Sequence, residues 1–277
     1  MHAELNAWSE LRPSEAGHMD LGIEGRRAIV CAASQGLGRG CAEALAREGV
    51  QVTIAARTRD TLEAAAREIE AETGTPVTAV VADVTTPGGR AETLEACPEP
   101  DILINNGGGE PPGDFHDWTP EDWLRAVNAS MIAPIEMIKA TIDGMTARGF
   151  GRIVNITSSA VKAPLKNLGL SNAARSGFTG FVAGLAREVA PHGITINNVL
   201  PGAFDTGRIQ VVLGYAAKQA GRTFEEQLAL RTEAIPARRI GSAAEFGALC
   251  AYLCSMHAGY ITGQNILIDG GAYPGTF

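Results

Sequence analysis

Ser171 and Arg175 stand four residues apart in the stretch NLGLSNAARSGFTG, residues 167–180. At helical spacing they share one face and can point at one site. A serine hydroxyl donates a hydrogen bond but holds its proton far more tightly than a phenol of pKa about 10. An arginine stays charged at any working pH, so it can clamp hydroxyls or an anion but cannot relay protons. A second constellation, CAASQGLGRG at 31–40, sets Gly36 and Gly38 between a strand-like run and a helical one. Backbone N–H groups at such a helix start can hold a pyrophosphate, and side chains there would block its approach. A third feature is Arg57, which closes the next strand-like run in TIAARTRD, with Ala56 before it. A carboxylate at this place would hold a ribose 2′-hydroxyl, whereas a guanidinium suits a 2′-phosphate. NADP(H) is therefore expected in preference to NAD(H).

These groups must be positioned by elements that periodicity predicts. Strand-like runs are RRAIVCAA, VQVTIAA, PVTAVVAD, DILINN, GRIVNITS, ITINNVL and QNILID. Amphipathic helical stretches alternate with them, which predicts an α/β fold with a parallel sheet covered on both faces. Right-handed crossovers make it a Rossmann-type, doubly wound sheet of about seven strands. No linker, repeat or composition break divides the chain, so residues 21–277 read as a single domain. The long helical segment 203–236 follows a strand end, where ligands bind in such sheets, and reads as a substrate lid. Residues 1–20 lack periodicity and read as a flexible extension, with Met19 as an alternative start.

Composition narrows the partners. With 277 residues and 45% apolar content, the chain can bury a sizeable core. A net charge of -8 argues against nucleic acid, and no basic run or zinc-finger spacing offsets it. No apolar run approaches a membrane span and the N-terminus lacks a secretory pattern, so a cytoplasmic protein without a membrane partner is expected. The five cysteines, Cys31, Cys41, Cys97, Cys250 and Cys254, form no CxxC pair and read as buried thiols. No metal is expected.

Several further motifs fall in register with these. AASQGLG near the N-terminus, ADV at 82–84, NNGG at 105–108, Asn128, IVNITSS at 153–159, PGAFDT at 201–206 and ITGQNILIDGG at 261–271 occur in a characteristic order. On them the chain resembles the short-chain dehydrogenase/reductase family over about residues 21–272, most of all its 3-oxoacyl-carrier-protein-reductase-type branch. The resemblance implies that Ser34, Gln35, Gly36, Leu37 and Gly38 form the pyrophosphate loop. It places Asp83 and Val84 at the adenine and Asn105 beside the adenine ribose, with Gly107 in the same strand-end loop. Pro201, Gly202 and Thr206 belong to the segment that reaches the nicotinamide. One departure lies in that loop, where Cys31 and Ala32 replace the family's Thr-Gly; the Ala32 methyl fits if its backbone angles are ordinary.

The resemblance also implies a catalytic set that is only half present. Ser158 matches the serine that positions a substrate carbonyl, and Asn128 the asparagine that holds a relay water. The family's proton-donating Tyr, thirteen residues beyond the Ser, is Ser171 here, and its Lys partner four further on is Arg175. All four tyrosines, Tyr215, Tyr252, Tyr260 and Tyr273, lie beyond residue 210, so no shift of register restores the pair. Losing a positioned general acid costs about 10²–10⁴-fold. The expected function is thus an NADP(H)-dependent oxidoreductase with an atypical site, acting on a small carbonyl, imine or activated C=C substrate. Protonation would come from water, from Lys162 or Lys166, or from the substrate. One alternative is a cofactor-binding regulatory or catalytically silent protein. Another is a non-redox enzyme on the same fold. Halohydrin dehalogenases resemble the chain in pairing Ser with Arg, but they keep the Tyr and lose the cofactor loop.

His116 borders the crevice as a candidate acid weighed against a solvated loop residue, and His192 reads as structural. Trp118 and Trp123 read as core and staple residues at a helix start. The resemblance further implies a homo-oligomer, a tetramer or dimer, pairing through helices at 119–148 and 171–190.

Overall fold

The computed structural model describes residues 19–276, and the N-terminal extension expected at 1–20 lies almost wholly outside them. All seven strand-like runs form strands: β1 Arg27–Cys31, β2 Gln51–Ala56, β3 Val77–Val81, β4 Ile102–Asn105, β5 Gly151–Ile156, β6 Ile194–Pro201 and β7 Asn265–Ile268. They pair in parallel in the order β3-β2-β1-β4-β5-β6-β7. The order reverses between β1 and β4, which opens a crevice at the carboxyl ends of those strands. Every residue of β4 and β5 is buried, as strands covered on both faces must be.

The helices are α1 Gly36–Arg47, α2 Arg59–Thr73, α3 Pro87–Ala96, α4 Pro120–Val127, α5 Ala133–Arg148, α6 Gly169–Val189, α7 Gly207–Ala220, α8 Phe224–Ala234 and α9 Ala243–Cys254. They divide the core into two apolar layers. One gathers Leu45, Ile54, Leu62, Ile104 and Phe246 on one side of the sheet. The other gathers Leu103, Met137, Ile153, Phe178 and Ile196 on the opposite side. All five cysteines are buried and free, as expected.

Local signals set the helix starts that matter for the site. Thr119 and Asp122 form a capping box at α4, with Pro120 in its first turn. Trp118 precedes the cap and meets Trp123 edge-on, ring centroids 5.7 Å apart, so the pair is a hydrophobic staple. The same indole packs on Gly169, where an added Cβ would come within 2.6 Å of the ring. The staple thereby fixes the first turn of α6, two residues before Ser171. Between α4 and α5 the chain makes a π turn, Asn128–Ile132, in which the Asn128 carbonyl accepts from the N–H of Ala133. The segment read as a lid is a pair of helices, α7 and α8, standing after the end of β6. No described helix is long and apolar enough to cross a membrane. Among the described residues no cluster of His, Cys, Asp and Glu has the makings of a metal site.

Candidate active site

The dinucleotide end of the crevice is built from backbone. Gln35 caps α1 in an extended conformation with no side-chain bond to the helix, and no acid occupies the first turn. The first amides of α1 are therefore open to an anion. Gly36 has φ +61°, and an added Cβ would lie 3.3 Å from Thr206 Cγ2, so the PGAFDT segment rests directly on the loop. A Cβ at Gly38 would stand 2.5 Å from the Ala32 carbonyl oxygen and 2.7 Å from Asn106 Nδ2, so only glycine fits. The condition set for Ala32 is not met: its φ is +48°, in the left-handed region. An L-residue there costs roughly 1–2 kcal/mol, and the hydrogen bond from Asn106 Nδ2 to the Ala32 carbonyl, 3.1 Å, helps hold it.

Farther along, Arg57 is exposed just past β2, and its charge reaches Asp83. Partial burial pushes the Asp83 carboxyl up. The hydrogen bonds from the Thr85 hydroxyl (2.7 Å) and backbone N–H (3.0 Å), helped by Arg57, outweigh this and leave it below the usual range. Val84, Asn105, Gly107 and Arg175 line one cleft together with Cys31 and Ser130. Burial pushes the Cys31 thiol up to about 12, so it is a packing group and no nucleophile.

Asn105 ends a ladder of amides that crosses four strands. Its Nδ2 donates to Asn155 Oδ1 (2.9 Å), Asn155 Nδ2 to Asn198 Oδ1 (3.0 Å), and Asn198 Nδ2 to Asn265 Oδ1 (2.8 Å). The register brings these residues side by side across β4, β5, β6 and β7. The ladder leaves Asn105 Oδ1 buried without a partner, and Ser130 Oγ is in the same condition. Buried acceptors without partners are costly, and hydroxyl groups of a bound ribose would satisfy them. The open α1 amides, the obligatory Gly38 and these orphaned oxygens all fit a dinucleotide. A larger groove of about 510 Å³ lies on α8 between Glu225 and Arg238 and involves none of these groups.

The reacting end is built from side chains. Ser171 and Arg175 do share a face of α6, and both are buried. Arg175 Nε donates to Ser171 Oγ (3.1 Å) and Nη1 to the Ile156 carbonyl (2.8 Å), the last residue of β5. Ser158 follows two residues later and accepts from the Ala160 N–H at 3.1 Å. Each serine oxygen thus accepts from a protein N–H and keeps its own O–H to donate. Burial, with the charge of Arg208 adding to it, lowers the Arg175 pKa to about 10, which still leaves it cationic at neutral pH. Asn128 is not drawn into this group. Its side chain is exposed and donates to the Thr85 carbonyl at 3.2 Å.

Arg208 and the pairing of Tyr273 with Lys162 were not anticipated. Arg208, in the first turn of α7, donates to the carbonyls of Gly109 (3.1 Å) and Glu110 (2.7 Å), tying the start of α7 to the loop after β4. The Tyr273 ring stands 5.9 Å from Lys162 Nζ, bringing a tyrosine and a lysine together beside the loop that follows Ser158. His116 is exposed with Nδ1 2.7 Å from Asp114 Oδ1, and His192 is exposed after α6. Pro201 ends β6, and Gly202 passes so close to Asp269 that a Cβ would lie 2.6 Å from the Asp269 Cβ.

A switch-point crevice with a glycine-shaped helix start and a polar strand end defines a dinucleotide-binding α/β protein. Comparison with known proteins gives the family. The family model described as Enoyl-(Acyl carrier protein) reductase matches residues 31–273. The 3-oxoacyl-acyl-carrier-protein reductase FabG of Vibrio harveyi is 32% identical over 256 residues, covering 91% of this chain and 99% of the relative. The NADPH-dependent reductase BacG of Bacillus subtilis is 33% identical, covering 89% and 97%. The crystal structure of L-sorbose reductase from Gluconobacter frateurii, complexed with NADPH and L-sorbose, superposes with a TM-score of 0.87 at 29% identity, covering 93% and 100%. The chain belongs to the short-chain dehydrogenase/reductase family of oxidoreductases and is FabG-like.

Proposed function

We propose that the chain is an NADP(H)-dependent oxidoreductase that reduces a small activated C=C, imine or carbonyl substrate without a side-chain proton donor on α6. The observation that carries this reading is the Ser171–Arg175 hydrogen bond on the helix that borders the crevice. The α1 amides, Asp83 and Asn105 would hold the cofactor, with Arg57 at its 2′-phosphate, and the bound cofactor supplies the hydride. Ser158 and Ser171 donate their free O–H groups to the substrate oxygen or nitrogen that gains negative charge. Arg175 fixes Ser171 and makes its hydroxyl a stronger donor. None of these groups gives up a proton readily at neutral pH, so water completes the reduction. Such a site suits an acceptor whose charge is delocalised, as in a conjugated C=C, better than a simple ketone. BacG, L-sorbose reductase and an actinorhodin ketoreductase structure with NADPH support the choice of NADP(H).

Fluorescence titration with both reduced cofactors tests the cofactor half. NADPH should bind at least about tenfold more tightly than NADH, and Arg57→Ala should remove most of that preference. Equal affinities in the wild type would contradict it. The chain is also proposed to form a dimer or tetramer through α4, the π turn and α6, where Leu124, Ile132 and Phe181 are exposed. Sedimentation at micromolar concentration should show the oligomer; a monomer would exclude it.

A further inference from the structure

The helix pair α7 and α8 is anchored at its two ends and lightly held between them. At the first end, Phe204 is buried and meets Phe246 edge-on, ring centroids 5.4 Å apart. There the Asp205 N–H donates to the Gly241 carbonyl (2.9 Å) and the Gly241 N–H to the Ala203 carbonyl (3.0 Å). At the second end, Ile235 is buried and the Ala237 N–H donates to the Gly270 carbonyl (3.0 Å). Between these anchors α7 buries Ile209, Leu213 and Ala217, and α8 buries no residue. Among the described residues, the side-chain hydrogen bonds of α8 and of the turn before it stay within residues 222–238. Local opening costs least in a segment with so little buried surface.

Arg208 works against that opening. Its Nη1 donates to the Gly109 carbonyl (3.1 Å) and its Nη2 to the Glu110 carbonyl (2.7 Å), and bonds from a cation are stronger than neutral ones. Partial burial acts against the guanidinium charge, and the nearby Glu110 carboxylate acts in its favour. Glycine at 109 makes the room, since an added Cβ would lie 2.8 Å from Arg208 Cζ. The loop that accepts these bonds is itself tied to the cofactor cradle, because Asn106 donates to the Ala32 carbonyl at 3.1 Å. Thr206, two residues before Arg208, rests on Gly36, the first residue of α1. Three loops are thus joined in a ring around the start of α1: Ala32 to Asn106, Gly109 and Glu110 to Arg208, and Thr206 to Gly36.

We propose that Arg208 is a clasp that holds the start of α7 over the start of α1, so that its opening gates entry and exit of the dinucleotide. This rests on the reading of the crevice as an NADP(H) site and names the residue that controls exchange there. Arg208 acts through the loop and the helix it joins, so it is a positioning residue. A gate restrains passage in both directions, and its loss speeds entry and exit together. Loss of a direct cofactor contact speeds exit alone.

Stopped-flow fluorescence of the full chain reads both directions, by mixing NADPH with the protein and by displacing bound NADPH with excess NADP⁺. Arg208→Gln should raise the association and release rate constants each by about tenfold, the scale of a lost hydrogen bond to a charged group, and leave their ratio within about threefold. Gly109→Ala keeps the charge of Arg208 but pushes its guanidinium off the two carbonyls, so it should act in the same way. It also decides the matter if Arg208→Gln fails to fold. Unchanged rates in either variant would overturn the proposal. Faster release with unchanged association would make Arg208 a cofactor contact and overturn it too. If the chain binds no NADPH, the reductase reading fails and hydrogen exchange of the α7 amides decides the clasp alone. Exchange about tenfold faster in Arg208→Gln would support it, and unchanged exchange would overturn it.

Discussion

The two ends of the crevice lie on the same sheet edge but place their polar groups by different means. At the dinucleotide end, backbone amides, a left-handed Ala32 and a glycine with no room for a methyl define the site. Side chains enter there at Arg57, Asp83, Asn105, Asn106 and Ser130. At the reacting end, the backbone supplies the Ile156 carbonyl to Arg175 and the Ala160 N–H to Ser158, and the groups that face the crevice are side chains. A site made of backbone persists as long as the fold does, whereas a site made of side chains can change its chemistry with two substitutions. On the proposed reading, that difference lets a chain hold a cofactor cradle without a side-chain acid on α6. Ser171 and Arg175 are both buried and hydrogen-bonded to each other.

Breaking the cradle should have the largest effect. Gly38→Val would push a branched side chain onto the Asn106 amide and onto the Ala32 carbonyl, which is backbone and cannot move aside without displacing the loop. NADPH affinity should fall by at least about a hundredfold, equivalent to two or more hydrogen bonds to a charged group. A loss under threefold, by the same fluorescence titration, would show that the loop does not depend on this close approach. The smallest effect should come from Tyr273→Phe. If water completes the reduction, removing this hydroxyl leaves kcat within about twofold, far below the 10²–10⁴-fold of a lost general acid. A tenfold or greater loss, with a changed pH profile, would make the Lys162–Tyr273 pair the acid and end the contrast between the two ends.

Much of this arrangement was legible in the sequence, for definite reasons. The strands are runs of β-branched and aliphatic residues with helical periodicity between them, so all seven were predicted, as was the doubly wound order. The Ser171–Arg175 contact followed from spacing alone, because i and i+4 share a helical face. The Trp118–Trp123 staple followed from their places either side of a cap. Long-range partnerships were not legible. The asparagine ladder needs the register of four strands, and each of its members looks, in sequence, like an ordinary residue near a strand end. Arg208 is one basic residue at a helix start, and its acceptors are backbone carbonyls some hundred positions away. Tyr273 meets Lys162 only because β7 ends near the loop that follows β5. Ala32 shows the same limit in the backbone, since its residue type leaves the angles open and the structure gives φ +48°.

The central claim is that the cofactor half is intact while the proton half lacks its acid. The rate of NADPH oxidation with a simple neutral ketone, in the wild type and in the Ser171→Tyr, Arg175→Lys double variant, tests it most directly. The double variant restores a phenol together with an amine that lowers its pKa, so each single change should do less than the pair. The account predicts a wild-type rate near background and a double variant at least about tenfold faster, within the range a positioned general acid supplies. A wild type that reduces the ketone rapidly, and a double variant that is slower, would contradict it.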